Sequence, residues 1–174
     1  MGASLTAIGD LHAQGGRWEE ALRSQSEAAA LHRDLGSGKE LAQDLCRMGE
    51  ALLSLDRPEE AQARVEEGLA FTAGIQNRAP RADLLVTLGR VKTLLGSPED
   101  AWDVIVEGMD LGREMDLQGV VVKGWLGLGD LAMKKGDGKE SRKCYEAAYD
   151  SAKAAGLAHW TKELEKKLGF EEKE

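Results

Sequence analysis

A hydrophobic residue followed by glycine recurs at one fixed interval along this chain: Ile8-Gly9, Met48-Gly49, Leu88-Gly89, Leu128-Gly129 and Leu168-Gly169. Each glycine stands 40 residues from the next. So long a fixed interval is the mark of one supersecondary unit copied and stacked, because a unit of that size cannot bury its apolar face alone. A glycine inside a helix costs about 1 kcal/mol relative to alanine. Its return in every copy predicts that a second helix crosses there, where a side chain would clash.

Within each copy the order of signals is constant. Twelve residues after the first four glycines stand Ala21, Ala61, Ala101 and Ser141, all small, preceded by Glu19-Glu20, Glu59-Glu60, Glu99-Asp100 and Lys139-Glu140. Acids in a first turn face unpaired backbone N–H groups and the positive end of the helix dipole. Pro58 and Pro98 occupy the first-residue position, where a missing N–H has no partner to lose. Breakers come just before: Gly15-Gly16, Leu55-Asp56, Gly96-Ser97 and Gly136-Asp137-Gly138. Leu41, Leu45, Met48, Leu52 and Leu55 step by four and three, and Leu84, Leu88, Val91 and Leu95 repeat the pattern, so each set lies on one helical face. The following segments carry Ala61, Val65 and Leu69, then Ala101, Ile105 and Met109, in the same way. A second small residue, Ala28, Gly68, Gly108 or Ala148, follows each glycine by 19 positions. No segment alternates at strand spacing. Each unit reads as helix, tight turn, helix, and the fold class as all-α.

Aromatic residues make up only 5% of the chain, so the core must be aliphatic. No apolar run approaches the roughly 18 to 20 residues that span a bilayer, and the N-terminus lacks a signal-peptide layout. A cytoplasmic protein without membrane insertion is expected. Cys46 and Cys144, like His12, His32 and His159, are scattered without metal-ligand spacing, which predicts no metal and no cofactor. Residues 1–116 carry 12 basic and 21 acidic side chains, and residues 117–174 carry 11 and 10. That balance argues against nucleic acid, which requires a basic patch. Carboxylates are abundant, but no His, Ser or Cys recurs beside them as a dyad or triad, so no catalytic residue is assigned and an enzyme is not expected.

These residues resemble the tetratricopeptide repeat, whose pattern runs Trp-x2-Leu-Gly-x2-Tyr, then Ala-x3-Phe, then Pro. The fourth copy matches best, with Trp125, Leu128, Gly129, Tyr145 and Ala148. Leu5, Leu45 and Leu85 take the Trp place in the others, and Gln25, Val65 and Ile105 the Phe place. His12, Leu52, Lys92 and Ala132 stand at the Tyr place. Arg33, Ala73, Arg113 and Lys153 replace the closing Pro, so the second helix should run on. The usual unit has 34 residues, and a longer helix pair accounts for 40; this form is similar to the repeats of Pins-type G-protein-signalling modulators and of bacterial signalling arrays. The resemblance implies a right-handed α-solenoid of four helix pairs, approximately residues 2–41, 42–81, 82–121 and 122–161, with a capping helix over 158–170. All of residues 1–170 then form one domain, and 171–174 a frayed tail.

It further implies a concave groove lined by the first helix of each pair, with the residues after the glycines, Asp10, Glu50, Arg90 and Asp130, facing it. Helical spacing adds Thr6, Gln43, Cys46, Arg47, Asp83, Val86, Thr87, Lys123, Leu126, Met133 and Lys134. Chaperone-binding members hold a C-terminal carboxylate with Lys, Asn, Asn, Lys and Arg. The corresponding places here carry Thr6, Asp10, Arg47, Asp83 and Thr87, which do not match. The groove should be bipolar, acidic at Asp10 and Glu50 and basic at Lys123 and Lys134.

Three local patterns compete with this reading and fail. Gly127-x-Gly129-x-x-Ala132 after Val120-Val121-Val122 imitates a dinucleotide fingerprint, yet Gly129 belongs to the 40-residue series and no βαβ unit surrounds it. Met1-Gly2-Ala3-Ser4-Leu5-Thr6 fits the loose myristoylation pattern, but a helix begins at once. Trp18, Trp102, Trp125 and Trp160 occupy different repeat places and read as packing. The expected function is a non-catalytic interaction module holding a partner protein's peptide or helix, as scaffold or adaptor. Two alternatives stand beside it: a regulatory domain of a larger signalling ATPase or transcription regulator, since the chain begins inside a first helix as a fragment would, and an engineered repeat scaffold, against which the irregular surface argues.

Overall fold

The computed structural model of the chain describes residues 2–73 and 78–170; the tail assigned to 171–174 lies outside them. The described residues form nine helices and no strand: α1 Gly2–Gln14, α2 Trp18–Asp34, α3 Gly38–Ser54, α4 Pro58–Thr72, α5 Ala79–Leu95, α6 Pro98–Glu114, α7 Gln118–Lys134, α8 Gly138–Ala154 and α9 Ala158–Leu168. Consecutive helices pack on one another, and α5 also packs on α3 and α7. The result is an all-α repeat solenoid with a single helix at its C-terminal end.

The turn signals act where their chemistry places them. Pro58 and Pro98 open α4 and α6, and acids fill the first turns of α2, α4, α6 and α8. Asp137 caps α8 by accepting the Glu140 N–H at 2.9 Å. A left-handed backbone position recurs every 20 residues, at Gly16, Gly36, Asp56, Gly96, Asp116, Gly136 and Gly156; position 76 falls outside the described residues. The 40-residue unit is therefore two equal halves, typically a 17-residue helix and a three-residue turn. Without the closing proline the second helices run through Arg33, Arg113 and Lys153, and that is where the extra residues go.

Four of the five series glycines are helix crossings. A Cβ on Gly9 would meet the Gln25 side chain at 2.8 Å, one on Gly49 would meet Val65 at 2.6 Å, and Ile105 and Tyr145 fill the corresponding spaces at Gly89 and Gly129. The fifth is different. Gly169 meets nothing within 4 Å and ends α9 with φ +73°, so its role is the left-handed C-cap. Gln25 takes the interhelical place that Val65 and Ile105 fill in later copies, and its Oε1 is buried without a partner.

The core is a series of apolar clusters, several of which join one repeat to the next. Met48 packs with Ala29, Leu88 with Val65 and Leu69, and Leu128 with Ile105 and Met109, each against the preceding second helix. Their counterpart in α1, Ile8, is 44% exposed and its neighbour Leu11 63%. No helix among the described residues is long and apolar enough to cross a membrane.

Candidate functional site

Stacking the first helices side by side brings residues 40 apart in sequence next to each other in space. Their inner faces enclose three adjoining cavities. The central one, about 280 Å³, is bounded by Asp10, Gln43, Arg47, Glu50, Asp83 and Lys123. A closing cavity of about 350 Å³ lies between Trp18 and Trp160 and shares Asp10 and Glu50 with it. A C-terminal cavity of about 560 Å³, walled by Leu53, Leu94, Met133 and Tyr145, shares Ser54 and Arg90 with the closing one. Volumes of this order suit small ligands or individual side chains of a larger one.

The charges in these walls are mostly matched within the groove. Lys123, only 9% exposed, donates to Glu50 at 2.6 Å and also to Asp83. Burial works against its charge, but the Asp83 and Glu50 carboxylates outweigh it and hold the ammonium well above its ordinary range. The Sγ of Cys46 and the carboxylate oxygens of Glu50 and Asp83 lie within 4.8 Å of one another, a donor set for a cation. The cation there is the Lys123 ammonium. Burial first, then the same two carboxylates, push the Cys46 thiol well up, which leaves it protonated and unreactive.

Arg47 pairs with Asp10 at 2.9 Å. Asp130 accepts from Tyr145 at 2.6 Å and from Lys167 at 3.1 Å, and the Lys167 ammonium also lies 5.0 Å over the Tyr145 ring. Burial and the Asp130 carboxylate together hold the Tyr145 hydroxyl above its ordinary range. Lys134 donates to the Leu94 carbonyl at 2.7 Å, where a cation suits the unpaired acceptors of the α5 C-terminus. Arg90 makes no hydrogen bond or ion pair among the described residues. The three acids in its own row, Asp10, Glu50 and Asp130, are committed to Arg47, to Lys123 and to Lys167 with Tyr145.

Of the fifteen side chains assigned to the groove by the resemblance and by helical spacing, eleven line these cavities: Asp10, Gln43, Cys46, Arg47, Glu50, Asp83, Arg90, Lys123, Asp130, Met133 and Lys134. Four turn elsewhere. Val86 is fully buried against Ala101, Ile105 and Met109, and Leu126 packs under Tyr145, Ala148 and Leu164. Thr87 is fully buried, bonding the Asp83 carbonyl at 3.0 Å and lying 3.6 Å from Cys46 Sγ. Thr6 donates to Asp44 at 2.9 Å; Asp44 also holds His32 at 2.6 Å, so the three tie α1, α2 and α3 together. One placement in the bipolar arrangement is corrected: Lys134 stands in the C-terminal cavity, but Lys123 lies among the acids of the central one.

Residues from other elements complete the walls without having been assigned there. Trp18 and Trp160 border the closing cavity with His159 and Glu163 of α9, and Tyr145 and Lys167 border the C-terminal one. Different repeat places for the tryptophans did not prevent two of them from lining one cavity. Trp125 packs in the core with Arg113 5.7 Å over its ring, and Trp102 is 45% exposed.

Residues 1–72 match the tetratricopeptide-repeat family, and the same glycine series and helix pairing continue through α8. The chain has a tetratricopeptide-like repeat fold, and its first 72 residues match that family. No curated protein sequence matches it. Among solved structures it is similar to a Rap protein crystallised in complex with competence and sporulation factor, at 16% identity and a TM-score of 0.71, covering 90% of this chain and 42% of that one. It is also similar to a crystal structure of nearly identical TPR-like repeats of a putative kinesin light chain from Podospora anserina, at 13% identity and a TM-score of 0.63, covering 95% and 92%. At these identities the likeness shows the fold. The chain spans less than half the length of the Rap protein it matches.

Proposed function

We propose that this tetratricopeptide-like repeat protein is a non-catalytic, cytoplasmic interaction module that holds a peptide or helix of a partner protein in its concave groove. The observation that carries this reading is the row of three adjoining cavities along the first helices, which together offer an elongated surface. The walls mix exposed apolar side chains, Leu94 and Met133, with ordered charged groups, a composition suited to a peptide's alternating chemistry. The titratable groups support binding rather than turnover: Lys123 and Tyr145 are held in their protonated forms and the Cys46 thiol is pushed up, which leaves them poor bases and nucleophiles at neutral pH.

Affinity capture from lysate tests the reading, comparing the unaltered chain with a groove variant, Asp10→Lys, Arg47→Glu, Arg90→Glu and Lys134→Glu together. Partners retained by the first and lost by the second are expected. Recovery of the same partners in the same amounts would place binding on another face.

A further inference from the structure

Resting on the groove reading, we propose that the C-terminal cavity is a site for an acidic side chain flanked by aliphatic residues, with Arg90 as its anchor. The charge balance there differs from the rest of the groove. Arg90, Lys134 and Lys167 stand against a single acid, Asp130, whereas the central cavity has Asp10, Glu50 and Asp83 against Arg47 and Lys123. Lys167 is paired with Asp130, and Lys134 meets a carbonyl rather than a carboxylate. Two positive charges are thus left without a counter-ion, and one of them, Arg90, has no partner among the described residues.

Arg90 is also held in place. Its aliphatic stem lies against Gly127 of α7, where a Cβ would sit 2.9 Å from its Cγ, so a side chain at 127 would push the stem away. Arg90 is half-buried and lines both of two adjoining cavities, and its planar guanidinium is able to offer paired donors to a carboxylate there. Beside it, Leu94 and Met133 are 44% and 55% exposed, an apolar surface that aliphatic neighbours of the acidic residue would cover. Charge and surface together select an acidic-aliphatic segment over a basic one.

The test is an NMR titration of the full chain with a capped heptapeptide alternating leucine and glutamate, and with its leucine–glutamine counterpart. Capping removes terminal carboxylates, and inorganic phosphate serves as the simple-anion control. The glutamate peptide is expected to shift the Arg90 Nε–H signal and to bind roughly 10- to 100-fold tighter than the glutamine peptide. Arg90→Gln, which breaks no internal contact and should melt like the unaltered chain, is expected to abolish that preference, and Arg90→Lys to keep part of it. Equal binding of both peptides within the groove overturns the carboxylate site while leaving the groove reading intact. Failure of either peptide to perturb Arg90, a preference undiminished in Arg90→Gln, or phosphate binding as tightly as the glutamate peptide overturns it too. The capture comparison above decides the groove reading separately.

Discussion

Lys123→Met is expected to destabilise the chain by about 3 kcal/mol, measured by chemical denaturation at pH 7. The methionine fills the space but leaves Glu50 and Asp83 facing each other with no cation between them, beside the buried Cys46. Removing one partner of a buried ion pair costs more than the pair itself contributes, because the surviving charge keeps its desolvation penalty. The loss should propagate, since Lys123, Asp83 and Glu50 belong to α7, α5 and α3 and together bind three successive repeats. Changing all three at once, to Met, Asn and Gln, should recover most of the stability. The pH dependence follows from the direction of the shift. Folding holds the Lys123 ammonium above its ordinary value of 10.5, so its contribution is fully present below that pH and is lost only as pH rises through the higher folded value. The stability gap between the unaltered chain and Lys123→Met should therefore stay constant from pH 7 to 10. A gap that closes by pH 9 would show that the ammonium is not held this way.

Gly108→Ala should cost about 2 kcal/mol despite alanine's better helix propensity, and lower the melting temperature by roughly 5 °C. A Cβ there would lie 2.8 Å from the Ala82 carbonyl oxygen and 2.9 Å from the Val86 nitrogen, both backbone atoms of α5. A flexible side chain could turn aside, but a helix backbone cannot, so α5 and α6 would have to separate. Alanine already occupies the same repeat position at 28 and 148, fully buried in each case, so the penalty is specific to the closer approach in the middle of the stack. Gly119→Ala is the control. It meets nothing within 4 Å near the start of α7 and should gain up to about 0.5 kcal/mol. Equal melting temperatures for the two variants would contradict the crossing account.

What the sequence made legible follows from what a repeat encodes. The glycine series, the small residues 19 positions on and the acid-rich first turns each report contacts inside one unit or between adjacent ones, and helix order and crossings followed from them. Gly169 fell outside because the same residue serves two purposes: no described helix crosses close to it, and the glycine instead supplies the left-handed turn. The 20-residue half-period was hidden by chemistry, since aspartate replaces glycine at 56 and 116.

The groove was partly legible for a different reason. Spacing along a single helix gives the direction of a side chain, not which neighbouring helix covers it, so Val86 and Leu126 were assigned to a surface that α6, α8 and α9 close. Pairings such as Glu50 with Lys123, 73 residues apart, depend on the curvature of the whole stack. The resemblance itself speaks of first helices, and therefore gave no place to Trp18, Trp160 or Lys167.

Hydrogen–deuterium exchange on the chain with and without a captured partner tests the central claim, that the inner face of the first helices is the binding surface. Binding should slow exchange over residues 43–54, 83–94 and 123–134, in α3, α5 and α7, and leave the outer second helices α4 and α6 unchanged. Protection confined to those second helices would contradict it.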